Sequence, residues 1–170
     1  VSGRRVVRIS AASVPICLLL LCLSGAPAQA LLCGSGLPLA SNLSVSATAL
    51  NFGSYSPAAG RFANATVRVE CGLLGIDLLP GFTVSLTALN SPDPASRKML
   101  RAAVPLNYNL YTANDYATVW GDGGNASVLQ SYNPLLALGA VNFTAWGRLP
   151  AGQYVPAGSY TDVITVTVAF

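Results

Sequence analysis

Threonine alternates with branched apolar residues near the end of the chain, where Ile164, Val166, Val168 and Phe170 share one side of residues 160–170. A period of two predicts a β-strand that is wet on one face and buried on the other. The same alternation marks residues 43–49, which close on Asn51-Phe52-Gly53, and then residues 62–71 and 82–88. Shorter runs follow at 106–111, 118–120 and 140–146. Gly, Pro and Asn separate the runs, and none of them carries a 3.6-residue period. Many short strands joined by turns predict an all-β, antiparallel β-sandwich over residues 31–170, read as one domain without internal repeats.

The last strand is the most informative. It is strongly apolar, and a strand of that kind needs a neighbour on each edge or presents a sticky one. An immunoglobulin-like sandwich would place a seventh strand beside it, and no residues follow Phe170 to form one. Two other apolar stretches, residues 73–80 and 135–138, read either as sandwich core or as exposed loops that form a contact surface.

The first thirty residues follow a different pattern. Arg4, Arg5 and Arg8 precede the apolar run 14–23, and Ala28-Gln29-Ala30 follows it. A cationic start, a short apolar centre and an Ala-x-Ala end describe a secretory signal peptide over residues 1–30, with cleavage after Ala30 and Ala28 as the other small residue of the site. The apolar run is too short to span a bilayer. Leu32 is too large for a lipoprotein signal ending at Cys33. This segment changes the charge reading: the chain carries 9 basic and 6 acidic residues, and three of the basic ones lie in the signal. The exported part is formally neutral, with no basic footprint for nucleic acid. Cys17 and Cys22 fall in the signal, leaving Cys33 and Cys71. Two cysteines in an exported protein are expected to pair, and a bridge closing a loop of this length contributes about 4 kcal/mol. A redox or metal pair is disfavoured by the lack of a Cys-x-x-Cys spacing or third ligand.

Candidate chemistry is sparse. The chain has no histidine, hence neither the commonest general base nor the commonest metal ligand. The loop Trp120-Gly-Asp-Gly-Gly-Asn125 lacks the lysine and following helix of a phosphate loop and reads as a hairpin turn, with Asp122 as a turn residue. The acidic residues are scattered singly, and no Gly-x-Ser-x-Gly occurs. Arg97, Lys98 and Arg101 form a basic cluster read as a solvated strand or loop end. Sequons at Asn42, Asn64, Asn125 and Asn142 read as by-products of Asn/Ser/Thr-rich strands. No enzyme activity, cofactor, metal or small-molecule substrate is expected; a β-sandwich hydrolase or lectin would need a polar, carboxylate-lined cleft.

Four segments carry a family resemblance: residues 43–57 (LSVSATALNFGSYSP), 108–112 (YNLYT), 119–123 (VWGDG) and 147–162 (GRLPAGQYVPAGSYTD). Together they resemble the spore coat U domain family, which includes pilin-like subunits of archaic chaperone–usher pili. The resemblance runs from about Leu43 to Phe170. It implies an incomplete immunoglobulin-like sandwich whose last strand is donated in trans. A periplasmic chaperone lends that strand, and a neighbouring subunit's donor strand replaces it at the outer-membrane usher. Ile164, Val166, Val168 and Phe170 would line one wall of the acceptor groove, with the Phe170 carboxylate anchoring a basic chaperone residue. The protein would pass through the periplasm to the cell surface or be secreted.

Two departures from that pattern matter. Residues 34–42 are broken by Gly and Pro, so the stretch before the first strand cannot serve as a regular donor. A subunit that accepts a strand without giving one is expected at the fibre tip or as an initiating subunit. The alternative within the family is a self-complemented secreted coat or matrix protein. In many relatives a cysteine stands where Leu43 stands here, ten residues beyond Cys33, which leaves the Cys33–Cys71 pairing an expectation.

Overall fold

A computed structural model describes residues 4–12, 42–72, 81–133 and 140–169. Ala28, Ala30, Cys33, Phe170 and the apolar stretches 73–80 and 135–138 lie outside the described residues. The backbone of Cys71 is described without its side chain.

The described residues form twelve strands: β1 (Arg4–Ala12), β2 (Asn42–Ala47), β3 (Arg61–Gly72), β4 (Phe82–Ala88), β5 (Lys98–Arg101), β6 (Val104–Asn107), β7 (Asn109–Tyr111), β8 (Val119–Trp120), β9 (Ser127–Val128), β10 (Gln130–Tyr132), β11 (Ala140–Leu149) and β12 (Thr161–Ala169). A single 3-10 turn, Pro94–Ser96, precedes β5. One six-stranded sheet runs β10-β4-β12-β5-β6, with β1 paired to β12; the other runs β2-β3-β11-β7-β8-β9. Their inner faces supply one core, in which Val67 and Val69 of β3 meet Val84 and Leu86 of β4, Val166 and Val168 of β12, and Trp120 of β8. The fold is the expected antiparallel-rich β-sandwich.

Alternation in sequence becomes alternation in burial. Along β4 and β12 every second residue is buried, Phe82, Val84, Leu86 and Ala88 in one strand and Asp162, Ile164, Val166 and Val168 in the other. Hydrophobic transfer of the Phe, Val, Leu and Ile side chains among them, each contributing about 1.5–3 kcal/mol, holds the two sheets face to face.

Two sequence expectations are corrected. The run 106–111 is two strands: β6 pairs with β5 in the first sheet and β7 with β11 in the second, with Tyr108 at the crossing. Pro105, which lacks a donor for the ladder, is accommodated because β6 is an edge strand. The glycine-rich loop is a turn, but not a hairpin, because β8 and β9 pair in parallel. Positive φ angles at Gly123 (90°), Asn125 (49°) and Ala126 (58°) coil the chain so that it returns in its original direction. Asp122 is the expected turn residue, its Oδ1 accepting from the Gly124 N–H at 3.0 Å.

The four segments that carry the family resemblance are built into one another. A Cβ on Gly147 would lie 2.9 Å from Leu50 Cδ2 and Phe52 Cζ, so the glycine makes room for both core residues. The Tyr55 hydroxyl donates to the Pro150 carbonyl at 2.9 Å and accepts from the Gln153 N–H at 2.9 Å. The Gly152 N–H donates to the Pro57 carbonyl at 2.8 Å. These residues are scaffold contacts between distant parts of the chain.

Candidate functional site

The last strand draws the site together. Val166 and Val168 are fully buried, and Ile164 borders a small apolar gap between the sheets alongside Leu50, Leu86 and Leu110. Three of the four residues expected to line an acceptor groove therefore face the core from β12; the fourth, Phe170, lies outside the described residues.

The edges of β12 differ in origin. Residues Ile164 to Ala169 pair antiparallel with Ala88 to Thr83 of β4. The same residues pair on the opposite edge with β1, in an uninterrupted antiparallel register from Arg4↔Ala169 to Ala12↔Thr161. This register sets Arg5, Val7, Ile9 and Ala11 opposite Val168, Val166, Ile164 and Asp162. β1 also comes against β2, the edge strand of the second sheet, so it lies at the seam between the sheets. The strand completing the β12 edge thus comes from the segment read as the cationic start of an export signal.

Polar groups fix the start of β12, and the sequence reading missed them. The Asp162 carboxylate is buried; its Oδ2 accepts from the Tyr108 hydroxyl at 2.8 Å, and its Oδ1 from the N–H groups of Val163 (2.8 Å) and Asn90 (3.2 Å). Burial pushes the Tyr108 phenol up from its ordinary value of 10.0, and the nearby Asp162 charge and hydrogen bond push the same way. A raised phenol ionises first in the unfolded chain, so its contribution is intact below pH 10 and is lost as pH rises beyond it. Tyr108→Phe is expected to cost about 1.5–3 kcal/mol at neutral pH. It should also flatten the alkaline fall in stability, read as urea midpoints from pH 8 to about pH 11.

Arg97 overturns the expectation of a solvated basic cluster. It is 0% exposed, whereas Lys98 is half-buried and Arg101 exposed. Its guanidinium donates to Asn109 Oδ1 at 2.7 Å, the Leu86 carbonyl at 2.9 Å and the Trp120 carbonyl at 2.7 Å. Those acceptors lie on β7, β4 and β8, so one side chain ties the two sheets together. Desolvation lowers its pKa, opposed by Tyr108 and Asp162, but an arginine stays protonated wherever the fold survives. Nothing in the local sequence separates Arg97 from its solvated neighbours; its burial follows from the 3-10 turn, whose Asp93 cap accepts from the Ala95 N–H at 2.9 Å and delivers Arg97 inward.

The expected Cys33–Cys71 pair lies outside what is described, but β3 register bears on it. Leu43 of β2 is the cross-strand partner of Cys71. A cysteine at position 43 would therefore stand opposite Cys71 on the neighbouring strand.

Residues 33–167 match the family model described as the Spore Coat Protein U domain. Protein U of Myxococcus xanthus is 30% identical over 132 residues, covering 71% of this chain and 71% of its own. No solved structure matches the chain.

Proposed function

The chain belongs to the Spore Coat Protein U domain family of structural coat and pilus-type proteins, and from that premise we propose that it is an exported subunit completed by a strand from a partner. The observation that supports this reading is the second edge of β12, which is covered by β1 alone along Ile164 to Ala169. If residues 4–12 leave with an export signal, that edge presents unpaired N–H and C=O groups above a core already closed on its other side. Strand addition by a periplasmic chaperone, and then by a neighbouring subunit at an outer-membrane usher, would satisfy both the ladder and the seam. Residues 34–42, interrupted by Gly34, Gly36 and Pro38, make a poor donor in return, which favours a tip or initiating position. Recovery of the subunit in mid-fibre, with its N-terminal segment inserted into a neighbour, would refute that position.

A second reading has its own support. Because β1 belongs to the same chain, a protein that kept residues 4–12 would complete itself and serve as a coat or matrix component without polymerising. Producing the protein with and without a co-expressed chaperone of the chaperone–usher class, and sequencing the N-terminus of what accumulates, separates the two. The strand-accepting subunit accumulates only with the chaperone and lacks residues 4–12. A stable monomer that retains them without a chaperone establishes self-completion instead.

A further inference from the structure

Among the described residues, the longest pairing that β12 makes is with β1. It runs from Thr161 to Ala169, whereas the pairing with β4 runs from Ile164 to Ala169 and β5 adds a pair at Thr161. The sequence of β1 suits this place. Residues 4–12 (RRVVRISAA) contain neither Gly nor Pro and carry the branched residues Val6, Val7 and Ile9. Residues 34–42, interrupted by Gly34, Gly36 and Pro38, have no such run. Of these two segments ahead of β2, residues 4–12 are the one with the composition of a strand.

The fit is good in the middle of β1 and poor at one position near its start. Cross-strand partners share a face, so Arg5, Val7 and Ile9 take core-side positions opposite Val168, Val166 and Ile164, all three buried. Val7 and Ile9 match that environment. Arg5 does not: a guanidinium on the core side must reach back to water or lose its solvation. Arg4 and Arg8 take the other face, in register with Ala169 and Thr165, which are half-buried. Charged residues along an edge strand discourage further pairing, so β1 ends the sheet instead of extending it. A strand with an aliphatic residue at the Arg5 position would fill the same edge better.

Resting on the reading of β12 as a strand acceptor, we propose that residues 4–12 guard that edge in cis and are built to be displaced. While they remain on the chain they keep the β12 ladder paired and exclude a partner's strand. A tethered strand competes at a high effective concentration, so even an imperfect fit holds the edge against a dilute partner. Cutting the chain after Ala30 removes that advantage. An antiparallel strand with branched apolar residues at the positions of Arg5, Val7 and Ile9 then replaces the guard. The same cut that would free an exported chain thus opens its acceptor edge, and Arg5 is the weak point that lets the exchange go forward.

The test uses the full chain with a site-specific protease sequence inserted after Ala30, so that it folds before it is cut. The probe is a biotinylated nine-residue peptide with the sequence of residues 4–12 carrying Arg5→Val. Peptide retained by the protein after gel filtration is measured before and after cutting. Cutting should raise uptake about tenfold or more. The full chain carrying Arg5→Val, once cut, should take up about tenfold less than the cut parent, because its own strand now fits as well as the probe. Equal uptake by intact and cut parent overturns the guard and leaves the acceptor edge standing. Equal uptake by the two cut chains overturns the assignment of Arg5 as the weak point. No uptake with residues 1–30 still bound makes β1 a permanent strand, which overturns the guard in favour of self-completion. No uptake with residues 1–30 released means that the edge accepts no strand, which removes the acceptor reading itself.

Discussion

Val166→Asp should abolish strand capture at the β12 edge, read as loss of co-purification with the chaperone. Val166 is fully buried and stands between Leu86 of β4 and Val7 of β1 in the register of the sheet. A carboxylate there would have no partner within an apolar core. It would either remain charged at a cost of several kcal/mol or take up a proton, with its pKa driven up by desolvation. Neither form packs against the opposing sheet. Two companions make the result specific. Val166→Ala, which leaves a cavity but no charge, should lose about 2 kcal/mol and still be captured. Thr167→Asp sits one residue along, on the half-buried outer side of the strand, and should be captured like the parent. Capture of Val166→Asp at the parental level would remove this face of β12 from the acceptor site.

Arg97→Met should be the most damaging change away from that strand. The side chain is similar in length, but Asn109 Oδ1 and the carbonyls of Leu86 and Trp120 would all lose the donor that satisfies them. Buried acceptors left unpaired cost about 1–3 kcal/mol each, and removing one member of a buried charged network typically costs about 3–5 kcal/mol. A fall of the thermal midpoint by roughly 10 °C follows for a domain of this size. Arg97→Lys should recover less than half of the loss, because an ammonium cannot present the planar fork that reaches Leu86 and Trp120 from one nitrogen and Asn109 from the other. A melting curve unchanged by Arg97→Met would mean that the two sheets do not depend on this link.

These two positions show different degrees of legibility. Val166 lies in a clean alternation of threonine and branched apolar residues, and its burial could be read directly, as could the limits of β4 at Phe82 and Ala88. That this strand needs a neighbour on its second edge was also legible, and β1 fills that place. Arg97 sits in a Ser-Arg-Lys stretch with no periodicity, and its neighbours Lys98 and Arg101 fit the solvated reading. The polar start of β12 was equally hidden. Asp162 is flanked by residues of an alternating strand, and the arrival of Tyr108, fifty-four positions away, together with the N–H groups of Asn90 and Val163, makes a buried carboxylate tolerable.

Local periodicity determined much of this protein: strand identity, the buried face of β12, an all-β sandwich and the turn at Asp122 were set by residues close in sequence. Solvation acts on each side chain where it stands, so a period of two is enough to decide which face turns inward. Tertiary structure alone decided which strands meet. It sent Leu106 and Leu110 to different sheets, aligned β8 and β9 in parallel, brought residues 4–12 to the edge of β12 and enclosed Arg97 between the sheets. Those outcomes depend on pairing hydrogen-bond donors with acceptors across long separations, and a backbone amide carries no sign in the sequence of the partner it will find.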